Sequence, residues 1–364
     1  MVAMETQTLA AWKNGWDDTR AHYLKWWSHT GHVVVAYGKA LYQKPPHEGV
    51  ARMAKASSLE QQWLDPVWRA AYEESIVAAA DYPFDNLPIA HTSIGPGSLA
   101  LYLGSEAALQ DHTVWYDPCI TDPEHHPALR FDPNNRYWKI HEAIIRENLK
   151  RSCGRYFIAC PDIIENIDVL ASLRDAQTLL MDMVDRPSWI KERVAEINEA
   201  YFETYDRVYD MIKLPDGSSV YGHFHLWGPG KTIKVQCDAS AMFSPDMFNE
   251  FVTPQLTEQC EWCDHSLYHL DGPDAICHLD NLLAIKPLDA IQWIPGAGKP
   301  DAGQTLWYPM YEKILGAGKS LQIAVQIKDL KRTVDAIGST GVFWQVFGVE
   351  TEEDIGTVRT LLSR

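Results

Sequence analysis

The chain has 364 residues, a length common for one α/β barrel with additions. Its formal charge of −17 leaves no basic footprint, which argues against nucleic acid as a partner, and no run of 18 or more apolar residues is present to span a membrane. Apolar residues make up 46% of the total, enough for a large core, and seven scattered cysteines do not outline a disulfide framework.

Residues 1–80 read as mostly helical and rich in Trp. The first twenty contain Trp12, Lys13, Asn14, Asp17 and Asp18 and no apolar signal core, so the protein is expected in the cytoplasm. In LPIAHTSIGPGSLALYLG (87–104) a strand meets a Gly-rich turn that lacks both the GK[ST] ending and GxGxxG, so it is not a phosphate loop. RYFIACPD predicts a strand ending at Pro161-Asp162. Residues 163–183 and 187–213 read as two helices divided by DRPS, and 215–219 as a turn. VYGHFHLW (220–227) alternates as a strand does, placing His223 and His225 on one face with Trp227 following. IKVQCDAS (233–240) is another strand, after which Ser244 caps a helix with Pro245 in its first position.

The last hundred residues repeat strand then helix four times. The predicted strands are HSLYHLDG, LDAIQWIPG, SLQIAVQ and GVFWQVFG. Such alternation implies a parallel sheet, open or closed into a barrel. Strands ending near 162, 226, 238, 271, 294, 327 and 346 are expected to share it. His269 and Asp271, Gln292 and Trp293, Gln326, and Gln345 fall at or near C-terminal strand ends, the edge that carries chemistry in such folds. Trp227, Trp293 and Trp344 are expected to supply at least one wall of a substrate pocket. His269 and Asp271, two apart on a strand, point the same way and suit joint metal ligation or acid–base work.

CDASAMFSPDMFNEFVTPQL, YHLDG and LDAIQWIPGAG resemble the uroporphyrinogen decarboxylase-like superfamily, from about residue 20 to the end. IGPGSLALYLG, VWYDPCITD and CPDIIENIDVLASLRD look like one branch of it. The resemblance implies one (β/α)8 TIM barrel over 81–364 with an N-terminal helical extension over 1–80. It also implies either cofactor-free decarboxylation or zinc-dependent methyl transfer between corrinoid proteins and thiols. The arginine-rich RQAGR of true porphyrinogen decarboxylases is missing, which turns the expectation toward methyl transfer. The methyltransferases' His-x-Cys stands here as His269-Leu270-Asp271, and the last strand region offers only Gln345 and Glu350 where the family has a further Cys. The expected metal is zinc, held through His269 and Asp271, with Asp238 lining the pocket as a third catalytic residue. His223, His225, Trp227, Gln292, Trp293, Gln326 and Gln345 are expected to bind a small-molecule substrate. No Asp-x-His-x-x-Gly is present, so a corrinoid would arrive on a partner protein. Decarboxylation or another lyase reaction on a small organic acid is the second reading, and a non-catalytic corrinoid- or tetrapyrrole-binding subunit the third. The oligomeric state is not readable.

Overall fold

The computed structural model describes residues 10–42 and 44–363. Twelve strands are described: β1 Val33–Tyr37, β2 Ile89–Ala90, β3 Glu106–Leu109, β4 Val114–Asp117, β5 Phe157–Ile158, β6 Ser219–Tyr221, β7 Leu226–Gly228, β8 Thr232–Gln236, β9 His265–Asp271, β10 Ala290–Ile294, β11 Ser320–Gln326 and β12 Val342–Phe347. Six of them form one parallel sheet in the order β1-β12-β11-β10-β9-β8, and β2 pairs in parallel with β5. Helices alternate with the strands along the chain, and most of the strand residues are buried, as parallel sheets require. The arrangement is a TIM-barrel-like α/β fold.

Among the described residues the hydrogen-bond ladder does not close into a ring. It is open between β1 and β2 and between β5 and β8. Side chains fill both seams. Asp85 Oδ2 accepts from Val34 N at 2.8 Å, and Asn86 bonds both the N–H and the carbonyl of Ala36 at 2.9 Å. At the other seam Glu165 Oε1 accepts from Gln236 N at 2.6 Å. A buried N–H without a partner is costly, so these side chains stand in for strands.

Strand β1 lies within the stretch expected to be a helical extension and pairs residue for residue with β12. The main sheet therefore begins inside residues 1–80. Helix Trp16–Trp27 covers the end of the sheet where the strands start. Trp26 Nε1 donates to Gly341 O at 3.2 Å, just before β12, and its carbonyl accepts from Ser320 Oγ at 2.7 Å, at the start of β11. The Trp-rich N-terminal region is thus a plug, and the opposite end, where the strands finish, stays open.

The expected strand 220–227 is instead an antiparallel hairpin, β6 with β7, turning through residues 222–225. His225 adopts φ 52°, a left-handed conformation rare for residues with a Cβ, so His223 and His225 do not share a strand face. The expected helix 163–183 is two helices, Asn166–Arg174 and Ala176–Asp185, broken where Asp175 takes φ 83° and caps Gln177 N. Ser244 and Pro245 start their helix as expected, with Ser244 Oγ accepting from Met247 N at 3.3 Å.

The expected aromatic walls are also corrected. Trp227, Trp293 and Trp344 are each 0% exposed. Gln292 faces the sheet interior beside His269, so alternation turns Trp293 outward, where it packs on Trp307 at 4.9 Å. Trp227 packs against Trp16 and Tyr23 under the plug helix. Trp293→Ala should therefore lower stability by about 3–5 kcal/mol in urea denaturation without changing ligand or metal affinity in the folded protein. A change in affinity at unchanged stability would contradict this placement.

Candidate functional site

The site is built on the open end of the sheet. Parallel register sets Gln236 beside His269, His269 beside Gln292, and Gln292 beside Gln322, so four polar residues form one row across β8 to β11. His269 Nδ1 meets Gln292 Oε1 at 2.5 Å. An amide oxygen only accepts, so Nδ1 carries the proton and Nε2 presents its lone pair. Burial, then the nearby Lys234 ammonium, lower the His269 pKa, which keeps the ring neutral. Asp271, two residues on, faces the same way, and its Oδ1 is buried with no hydrogen-bond partner.

Asp238 joins them from the turn that follows β8. One donor atom each from Asp238, His269 and Asp271 lies within 4.8 Å of the others. The turn is held by Asp168, in the first turn of helix Asn166–Arg174. Its carboxylate accepts from Asp238 N at 2.8 Å, Ala239 N at 2.9 Å and Gln236 Nε2 at 3.1 Å. Gln236 Nε2 also donates to Asp238 Oδ2 at 2.9 Å. The Asp238 carboxyl opens on a cleft yet has protein on most sides. That partial burial, then the Asp168 carboxylate, push its pKa up to about 7.

Behind this row is a buried charged group. Lys234 is 0% exposed and pairs with Asp162 Oδ1 at 2.7 Å, which also accepts from Tyr221 OH at 2.8 Å. Lys234 Nζ further donates to Gln236 Oε1. Burial disfavours the ammonium, but Asp162 and then Glu165 outweigh it and hold the Lys234 pKa above normal. Burial likewise works against the Asp162 carboxylate, and Lys234 more than offsets it.

A cleft of about 500 Å³ opens over the triad. Asp162, Asp168, Gln236, Asp238, Phe224 and His269 line it, together with Trp115, Tyr116 and Met242. Phe224 sets its ring edge against His269, with centroids 5.3 Å apart. Of the residues expected at the site, His269, Asp271 and Asp238 come together, and Gln292 holds the His269 ring. His223 opens instead on a neighbouring cleft. His225 points back to Tyr37, whose hydroxyl lies 2.9 Å from Nδ1. Gln345 is buried in register with Val35 and Ala324, and half-buried Gln326 lies beside Phe347. Glu350, 3.7 Å from Lys39, is on the surface and not at the triad. Asp168, Lys234, Gln236 and Glu165 were not foreseen. Lys234 and Gln236 alternate with Ile233 and Val235, a pattern that could have marked them as inward-facing.

The donor set fits a cation. Two carboxylates, Asp238 and Asp271, converge beside a neutral imidazole, and one Asp271 oxygen has no other partner. Oxygen and imidazole nitrogen suit zinc and similar divalent ions.

No family model matches the chain, and no curated protein matches it. Among solved structures, a methyltransferase from Methanosarcina mazei is similar, with a TM-score of 0.60 and 11% sequence identity. The match covers 95% of this chain and 98% of that one. At that identity the likeness concerns the fold.

The buried acid behind the site generates a pH test. Burial lifts the Glu165 carboxyl from 4.5 to about 8, with Lys234 pulling the other way. Between those values the folded state holds a proton that the unfolded chain has released. The favourable contribution is full below pH 4.5 and lost as pH rises to about 8, by at most ~1.4 kcal/mol per pH unit. Asp162, held low, and Lys234, held high, keep their charges across this window. Glu165→Gln retains an oxygen for Gln236 N and removes the titration. It should raise the melting temperature relative to wild type at pH 8 and not at pH 5. Equal shifts at both pH values would contradict the assignment.

Proposed function

We propose that the chain is a metal-assisted methyltransferase on a (β/α)8-type frame. The observation that carries this reading is the triad of Asp238, His269 and Asp271 at the open strand ends. An end-to-end fold likeness to a methyltransferase supports it. His269 Nε2 and the carboxylates of Asp238 and Asp271 would hold a zinc-type ion. Bound there, the ion would supply Lewis acidity that lowers the pKa of a thiol or similar acceptor.

The chain's own groups set up that chemistry. Gln292 fixes the His269 tautomer and ring plane, a second layer of support that ligating histidines generally need. Asp168 fixes the Asp238 turn through two backbone N–H groups. Phe224 sets its ring edge against His269 and gives the cleft an apolar side. In this reading the methyl donor is a corrinoid carried by a partner protein. The acceptor sulfur would form a bond to the methyl carbon as the carbon–cobalt bond breaks, its electron pair staying on the partner's corrinoid, and the acceptor's proton would leave to solvent.

Asp238 favours a second reading. A carboxyl with a pKa near 7 beside a neutral imidazole suits proton transfer without a metal, as in a lyase acting on a small organic acid. Metal dependence separates the two.

Purified protein supplied with zinc should hold about one ion per chain. His269→Ala should lose it together with methyl transfer from methylcobalamin to a thiol. Gln292→Ala should weaken metal affinity by about 10–100-fold. Asp271→Asn should lower occupancy less than His269→Ala, because an amide oxygen still coordinates weakly. Elemental analysis and loss of the methyl–cobalt absorbance check these outcomes. No bound metal after supplementation, or wild-type turnover in His269→Ala, would overturn the reading.

A further inference from the structure

Beyond the hairpin turn at residues 222–225 lies a second cleft of about 380 Å³. The turn divides the two spaces: Phe224 faces the triad cleft and His223 the second one. They are adjacent, because Pro96 and Asp162 line both.

The second cleft holds a buried cation with no carboxylate in ion-pair contact. Arg69 is 7% exposed. Its Nη1 donates to the carbonyls of Ser93 at 2.7 Å and Trp63 at 3.3 Å. Among the described residues its Nε and Nη2 make no hydrogen bond, and no carboxylate lies within 4.0 Å of it. The other buried cations differ. Lys234 and Arg193 have carboxylate partners, and Lys13 and Lys319 spend their donors on two and three carbonyls. Buried charges are normally paired, so a guanidinium with unspent donors facing a cavity calls for an anion.

The neighbours do not supply it. Glu73 spends an oxygen on His91 N at 2.9 Å and makes no ion-pair contact with Arg69, and burial raises its pKa against the pull of Arg69. His91 and His223 stack at 4.5 Å, and both are held neutral with pKa values of about 4, chiefly by burial. His91 Nδ1 is buried without a partner. The cleft therefore presents one guanidinium, two neutral imidazoles, the Glu73 carboxyl, the Asp162 carboxylate already paired with Lys234, and the indole face of Trp63, whose centroid lies 5.8 Å from the guanidinium carbon.

We propose that this second cleft binds the carboxylate of an organic-acid substrate through Arg69, with the acid's reacting end reaching the Asp238–His269–Asp271 triad. The last clause rests on the triad being the reacting centre. A single planar fork matches a monoanionic carboxylate. A dianionic phosphate would meet only one cation, beside Asp162. Trp63 provides a flat apolar wall for the body of the acid.

Benzoate, benzamide and inorganic phosphate are the probes, titrated into full-length protein by calorimetry, with the His91 and His223 ring signals followed by NMR. Benzoate should bind roughly tenfold or more tightly than benzamide or phosphate and shift both ring signals. Arg69→Gln should lose about tenfold or more in benzoate affinity, and Arg69→Lys, which keeps the charge without the fork, should retain part of it. The ring shifts in wild-type protein stand even if Arg69→Gln fails to fold. Equal affinity for benzoate and benzamide, no benzoate binding, or binding that leaves both rings unshifted would overturn the proposal. Metal content of the same wild-type sample reports separately on the triad, so the two readings fail independently.

Discussion

The seam beside β8 is the constraint on which the site depends. In a closed parallel barrel, another strand would take the backbone N–H groups along this edge. Here carboxylates take them: Glu165 binds Gln236 N, and Asp168 binds Asp238 N and Ala239 N. Because acids rather than a strand fill the seam, the chain after Gln236 can turn at once and bring Asp238 beside the end of β9. The same substitution gathers acidic side chains there, and one deeply buried cation, Lys234, is paired with the Asp162 carboxylate. Removing either partner of that pair would leave a buried charge uncompensated, which commonly destabilises by about 3–5 kcal/mol.

Sheet register does the rest. Equal levels in neighbouring parallel strands put Gln236, His269 and Gln292 side by side, so each strand contributes one group to a continuous polar row. One row cannot shift alone, since a slip by a single residue would exchange His269 for Tyr268 or Leu270, both buried on the opposite face. At the far end of the sheet, helix Trp16–Trp27 locks the starts of β11 and β12 through Trp26 and Ser320. The tryptophans of that helix therefore brace one end of the sheet and leave the other open.

Much of this was legible in the sequence. The four terminal strand–helix units follow from plain alternation, and HLDG marks its own strand end, so His269 and Asp271 were readable by spacing alone. Gln292 was placed near them for the same reason. What failed did so for identifiable physical reasons. VYGHFHLW alternates like a strand, but Gly222 and the left-handed His225 fold it into a hairpin, which separates the two histidines. Trp293 is next to a site residue in sequence and on the opposite face in space. Strand β1 was hidden in a Trp-rich segment dominated by helices, because its partner, β12, lies three hundred residues away. Asp168 was missed since its role is tertiary: nothing local distinguishes it from any acid in a first helical turn. Arg69 gave no sequence signal either, because an unpaired cation is visible only once its surroundings are.

The central claim is that oxygen and imidazole donors, with no thiolate, hold a metal at this centre. X-ray absorption on zinc-loaded protein tests it most directly. The account predicts a first shell of nitrogen and oxygen scatterers alone, at about 2.0–2.2 Å, with the imidazole signature lost in His269→Ala. A sulfur scatterer at about 2.3 Å, or an unchanged shell in that variant, would contradict it.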